Sequence, residues 1–187
     1  MPLRYTHALL TGLGLVASVP VFGQSVPPAH SVFLLGNTAS AELPSSRLQA
    51  LRRTLEQQTG PFTVVHLGDI VGNTGLGSQK DSSQASQTAR ADALIALVQG
   101  LPNGKLYFVP GDKDWANSGP DGLKRVRRLE KYIEERLPGQ NAFVPTGGCP
   151  GPEIVDVAPT VRLVAINSPW WTHPYDRPEA PTPIARP

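Results

Sequence analysis

The sequence predicts an α/β layered domain, and three observations carry that expectation. Short β-rich runs alternate with segments whose apolar residues recur at helical spacing, the pattern of a largely parallel sheet covered by helices. Three of those runs end in glycine followed by a polar residue: Gly36-Asn37, Gly68-Asp69 and Gly111-Asp112. The composition, 40% hydrophobic with 20 Pro and 18 Gly, allows one core connected by many loops.

The elements follow in order. Residues 1–23 read as a secretory signal: Arg4 precedes the apolar stretch ALLTGLGLVASVPVF, and Val21 and Gly23 supply small residues before a cleavage point near Gly23–Gln24. Thr11, Gly12, Gly14 and Pro20 interrupt that stretch, and a spanning helix needs about 20 apolar residues. The mature chain is therefore expected in the periplasm or outside the cell, without a transmembrane helix. A linker, 24–30, leads to the strand SVFLLG at 31–36. Leu43-Pro44-Ser45-Ser46 starts a helix whose Leu48, Leu51 and Leu55 share a face, and Gly60-Pro61 ends it. The run FTVVHLGD, 62–69, is the second strand, and a Gly/Ser-rich loop leads to a helix over 88–99. The loop's glycines at 72–77 lack the Gly-Lys-Ser/Thr ending of a phosphate-binding P-loop.

The third strand occupies 105–109. From Leu123 to Leu137 an amphipathic helix turns Val126, Leu129, Ile133 and Leu137 inward. Its Lys124-Arg125 and Arg127-Arg128 read as a solvated face, with Glu130, Glu134 and Glu135 nearby. IVDVA (154–158) and VRLVAIN (161–167), joined at Pro159-Thr160, predict a hairpin. The domain is thus placed at 31–177, with a Pro-rich tail over 178–187.

If the first three strands lie side by side, Asn37, Asp69, Asp112 and Asp114 converge above the carboxyl edge of the sheet, where α/β proteins place ligands. Converging carboxylates need a cation, a shared proton or a neighbouring base. An oxygen-rich cluster suits Mn, Fe, Zn or Mg, and two such ions can clamp a phosphoryl group. The formal net charge of +2 gives no reason to expect a nucleic acid partner. Cys149 is the lone cysteine, an odd thiol for an exported protein.

The strand-end blocks Gly36-Asn37-Thr38-Ala39, Gly68-Asp69-Ile70-Val71-Gly72 and Gly111-Asp112-Lys113-Asp114 stand in the order of a known family. With the following CPGPEIVDV and VRLVAINSPWW, the chain resembles the N-terminal half of an exported bacterial calcineurin-like metallophosphoesterase of the purple-acid-phosphatase style. The resemblance covers about residues 31–177. It implies a layered metallophosphoesterase-like sheet, incomplete on its C-terminal side, and one or two divalent metal ions acting on a phosphoester small molecule. Asp69 matches the bridging carboxylate, Asp112 a metal-binding Asn, and Asn37 replaces a metal-binding Asp. Lys113 stands where the family has its catalytic His, and Asp114 would orient the turn. Lysine holds a phosphate as a point charge but does not reproduce imidazole's acid–base role near neutral pH.

The family's later Gly-His and Gly-His-x-His motifs do not occur, so a partner or a missing C-terminal half is expected. His66, inside a strand, reads as a core histidine. His173, in WWTHPYD, is the candidate to approach the substrate, and Trp170 and Trp171 read as packing. Two readings of function result. In one the chain is a diverged exported hydrolase with impaired activity. In the other it is a non-catalytic binding or scaffold domain in which Lys113 replaces the metal's charge.

Overall fold

The computed structural model describes residues 30–39 and 42–180. The signal expected at 1–23, most of the linker and the last residues of the tail lie outside them. The first half builds a three-stranded parallel sheet from β1 (Ser31–Leu35), β2 (Phe62–His66) and β3 (Gly104–Phe108), in the order β1-β2-β3. Phe33 pairs with Val64 and Val64 with Leu106, so the three strand ends lie level at Leu35, His66 and Phe108.

Between the strands run α1 (Ser46–Glu56), α2 (Gln84–Ile95) and, after β3, α3 (Gly122–Glu134). Ser45 caps α1, its Oγ accepting from Leu48 N–H at 3.4 Å. α2 begins about one turn earlier than its periodicity predicts, and its predicted last turn, 96–99, is not α-helix. There the amides of Leu97 and Val98 reach back only three residues, to Leu94 and Ile95. The Arg52 guanidinium takes the freed carbonyls, its Nη1 donating to Ala96 at 2.9 Å, Leu97 at 3.2 Å and Gln99 at 2.8 Å. A side chain of α1 thus caps the C-terminus of α2, where the helix dipole favours a cation.

The strand alternation separates two layers. Phe33, Val64, Leu106 and Phe108 join one hydrophobic cluster with Leu48 and Leu55 of α1, Leu94 of α2, and Val126, Leu129 and Ile133 of α3. Tyr107, which points the other way, packs with Val144, Val157 and Ala165. The helices expected to cover the sheet lie together on one face, α1, α2 and α3, and the hairpin of β4 (Glu153–Ala158) and β5 (Val161–Ala165) covers part of the other. That hairpin is antiparallel, as its turn predicts, and forms its own two-stranded sheet. A short helix, α4 (Ser168–Thr172), follows it.

The chain at Ala142–Val144 runs along the outer side of β3. Phe108 N–H donates to Ala142 O at 2.7 Å, and Val144 N–H to Phe108 O at 2.8 Å. Among the described residues no strand pairs with the outer side of β1, and its Val32 and Leu34, which alternate with the helix-facing Phe33 and Leu35, are 44% and 67% exposed. No helix in the described residues is long and apolar enough to cross a membrane.

Candidate functional site

The three strand ends form one crest. After β1 the chain turns at Asn37, whose φ of 53° puts it in the left-handed region, and the Asn37 amide donates to Gly68 O at 3.1 Å. After β2, Gly68 and Asp69 both have positive φ, 98° and 58°. Asn and Asp tolerate this conformation better than other residues with side chains. The sharp turn after β1 is therefore made by the polar residue rather than by Gly36. The glycines of the second and third turns meet a further need, because Gly68 and Gly111 touch backbone to backbone. A Cβ built on Gly68 would lie 2.6 Å from the Gly111 Cα.

Asp114 fastens these two turns together from below. Its carboxylate is fully buried and accepts the Gly111 amide at 2.8 Å and the Ile70 amide at 3.0 Å. Burial pushes this carboxyl up to about 7, against the pull of the Gly111, Ile70 and Val71 amides, with Asp69 adding to the rise.

Lys113 spans the top. Its Nζ lies 2.9 Å from Asp69 Oδ2 and 3.1 Å from Asn37 Oδ1, joining the first, second and third turns through one ammonium. The Lys113 amide also faces Asp69 Oδ1 at 3.4 Å. Partial burial would raise the Asp69 carboxyl, but hydrogen bonds from Lys113 and the adjacent Asp112, with the lysine's charge, outweigh it and hold it below the ordinary carboxylate value. Lys113 is raised in turn, chiefly by its bond to Asp69. Asp112 is exposed beside this pair.

A cleft of about 400 Å³ opens next to the crest, lined by Asn37, Asp69 and Asp112 on the polar side and by Leu67, Ile166 and Pro169 on the apolar side. Its volume is in the range of small-molecule sites.

Asn37, Asp69, Asp112 and Lys113 thus come together as the sequence suggests, while two other candidates do not face the cleft. Asp114 lies beneath the crest as the carboxylate that caps its turns. His173 packs its ring 4.7 Å from that of Trp115 and against the start of α3, where its Cε1 lies 2.7 Å from a Cβ position on Gly122. Both His173 ring nitrogens are buried without a partner. Burial lowers its pKa, with Arg177 adding to the effect and Asp176 opposing it.

Sequence reasoning missed two supports of the site. Trp115, 0% exposed, follows Asp114 directly, and its Nε1 donates to Asn167 Oδ1 at 3.1 Å. The Asn167 Nδ2 donates to Gly148 O at 3.0 Å, tying the third turn to the end of the hairpin. Its place at the end of a strand run was a signal for such a role. The second support is Thr38 Oγ1, 2.8 Å from His66 Nε2, which anchors the first turn to β2. His66 is buried, and that burial lowers it to about 4, with Asp69 opposing.

A divalent ion at the crest would need the carboxylate oxygens that Lys113 occupies. Asn37 offers only a neutral amide oxygen, and that oxygen faces the same ammonium. Among the described residues no group of three or more His, Cys, Asp or Glu side chains could hold a metal. As arranged, the side chains do not fit the resident metal that the resemblance implies.

No protein-family model, curated protein or solved structure matches this chain.

Proposed function

We propose that the chain is a non-catalytic binding domain on an α/β scaffold, with the strand-end cleft as its ligand site and Lys113 as the built-in counter-ion of the crest. The observation that carries this reading is the position of Lys113 Nζ, within 3.1 Å of both Asn37 Oδ1 and Asp69 Oδ2. An ammonium at hydrogen-bond distance from both oxygens neutralises the charge a cation would otherwise have to balance. It also removes Asp69 as a free base, because the pair holds Asp69 ionised and Lys113 protonated. A hydrolytic reading would need an acid–base group at position 113, and an alkylammonium raised above its ordinary pKa does not supply one near neutral pH.

Thermal unfolding of the full chain, with and without excess Mn²⁺ or Zn²⁺, tests this directly. An ion bound at about 100 times its dissociation constant would add about 2.7 kcal/mol to stability. The wild-type midpoint is expected not to move, and p-nitrophenyl phosphate is expected not to turn over. Lys113→Ala, which leaves Asp69 and Asp112 without their ammonium, is expected to melt lower and to gain an upward response to metal. A wild-type midpoint that rises with metal, together with turnover lost in Asp69→Ala, would restore the hydrolase reading.

A further inference from the structure

The basic side of α3 is balanced only in part by the helix's own glutamates. Glu130 Oε1 accepts the Gly147 amide at 2.7 Å, and Glu134 Oε1 accepts the Phe143 amide at 2.8 Å. Both acids therefore hold the segment that follows the helix, although Glu130 still feels the charge of Arg127. Among the described residues, Glu135 is the one of the three glutamates within salt-bridge distance of a basic residue, 3.9 Å from Lys131.

Those cations line a groove of about 720 Å³ between α3 and the loop over 76–80, with Lys80, Arg128 and Lys131 around it and Glu135 as its one carboxylate. Arg128 is fixed there because its Nη1 donates to Leu76 O at 2.6 Å, which leaves the rest of the guanidinium fork to other acceptors. Among the described residues neither Lys80 nor Arg128 has a carboxylate within salt-bridge distance. A second small cavity continues the basic surface past Arg128 to Lys124 and Arg125, which are already paired with Asp121 and Asp81.

We infer that this groove is an anion site for a small molecule carrying more than one phosphate or sulfate group, gripped by Lys80, Arg128 and Lys131. The volume is that of a small-molecule pocket rather than of a single ion. The three cations come from two different elements, so a ligand with two anionic groups can bridge loop and helix. Arg128 supplies planar, directional donors, and the lysines supply point charges that adapt to the ester. The groove is distinct from the strand-end cleft, and the inference does not depend on the function proposed for that cleft.

The test is calorimetric titration of the full chain at fixed low ionic strength with two probes, inorganic pyrophosphate and sucrose octasulfate. Saturable one-site binding of either is expected, and the tighter probe identifies the phosphate or the sulfate source. Lys80→Glu and Lys131→Glu are each expected to weaken that binding at least tenfold, and Lys80→Ala several-fold. Lys105→Glu makes the same change in net charge at an exposed position of β3 that does not line the groove, and is expected to leave the affinity unchanged. Failure of both probes to saturate would overturn the inference, as would equal losses in Lys80→Glu and Lys105→Glu, which would reduce the effect to overall charge.

Discussion

A Cβ added at Gly111 would lie 2.5 Å from both the amide nitrogen and Oδ1 of Asp69. The side chain that holds Lys113 and the backbone that positions it therefore depend on the absence of one methyl group. Gly111→Ala is expected to destabilise the chain by about 1–3 kcal/mol, the usual range for overpacking a tight contact, as measured by urea unfolding. Ala116 presents the opposite case. It stands with Asn117 and Ser118 in a run of positive φ values, 54°, 51° and 61°, directly after the third crest turn. An L-residue in that region costs about 1–2 kcal/mol that glycine avoids. Ala116→Gly is expected to raise stability by about 1 kcal/mol after its own gain in unfolded-state freedom is offset. A fall in the urea midpoint for that variant would mean that the Ala116 methyl packs usefully in the turn.

Between elements, the Arg52 contact shows how two helices are held in register without an apolar seam alone. Three carbonyls at the end of α2 depend on one guanidinium of α1, and Glu56 Oε1 orients it from 2.8 Å. Arg52→Ala is expected to cost about 1.5–3 kcal/mol, because hydrogen bonds to a charged group are lost and the carbonyls return to water. Arg52→Lys is expected to recover only part, since one ammonium cannot reproduce the planar fork. A loss under about 0.5 kcal/mol for Arg52→Ala would show that water caps the helix equally well. This contact was not legible in the sequence, where Arg52 reads as one more charge on an amphipathic helix. The elements themselves were legible, because Leu48, Leu55, Val126, Leu129 and Ile133 repeat with a period that only a helix buries on one side. The crest was legible too, since parallel strands whose ends lie level bring the turns that carry Asn37, Asp69 and Asp112 side by side. What periodicity does not encode is which face of a sheet a helix takes. The sheet was expected to be covered by helices, and the hairpin that covers its second face announced only its own turn. Likewise, nothing local in Glu130 or Glu134 distinguishes a carboxylate in water from one bound to an amide at Gly147 or Phe143.

For the whole molecule, two buried groups set opposite responses to pH. His66 titrates in the folded chain at about 4, below its ordinary 6.5. Between those values the unfolded chain holds a proton that the folded chain does not, so this contribution falls as pH drops from 6.5 towards 4. Asp114 titrates in the folded chain at about 7, above its ordinary 3.8. In that window the folded chain holds the extra proton, so this contribution falls as pH rises towards 7. Each shift corresponds to about 3–4 kcal/mol, and the two slopes largely cancel. Wild-type stability is therefore expected to vary less between pH 4 and 7 than either slope alone, with His173, also lowered by burial, adding to the His66 slope. Asp114→Asn removes one slope and is expected to climb steadily in urea midpoint from pH 4 to 6.5. A wild type that climbs as steeply as this variant would show that Asp114 does not take up a proton on folding, and a variant whose profile stays flat would show that His66 is not held below its ordinary value. A separate consequence follows from the placement of the indoles. Trp115 is 0% exposed beneath the crest, Trp170 8% and Trp171 63%. The chain therefore carries its own optical gauge: Trp171 emits from water and is open to acrylamide quenching, while Trp115 emits at shorter wavelength, shielded by His173 and bonded to Asn167. Loosening of the third turn would appear as a red shift of the Trp115 part of the shielded emission, over the constant part from Trp170, so the state of the site can be followed by light without attaching a label.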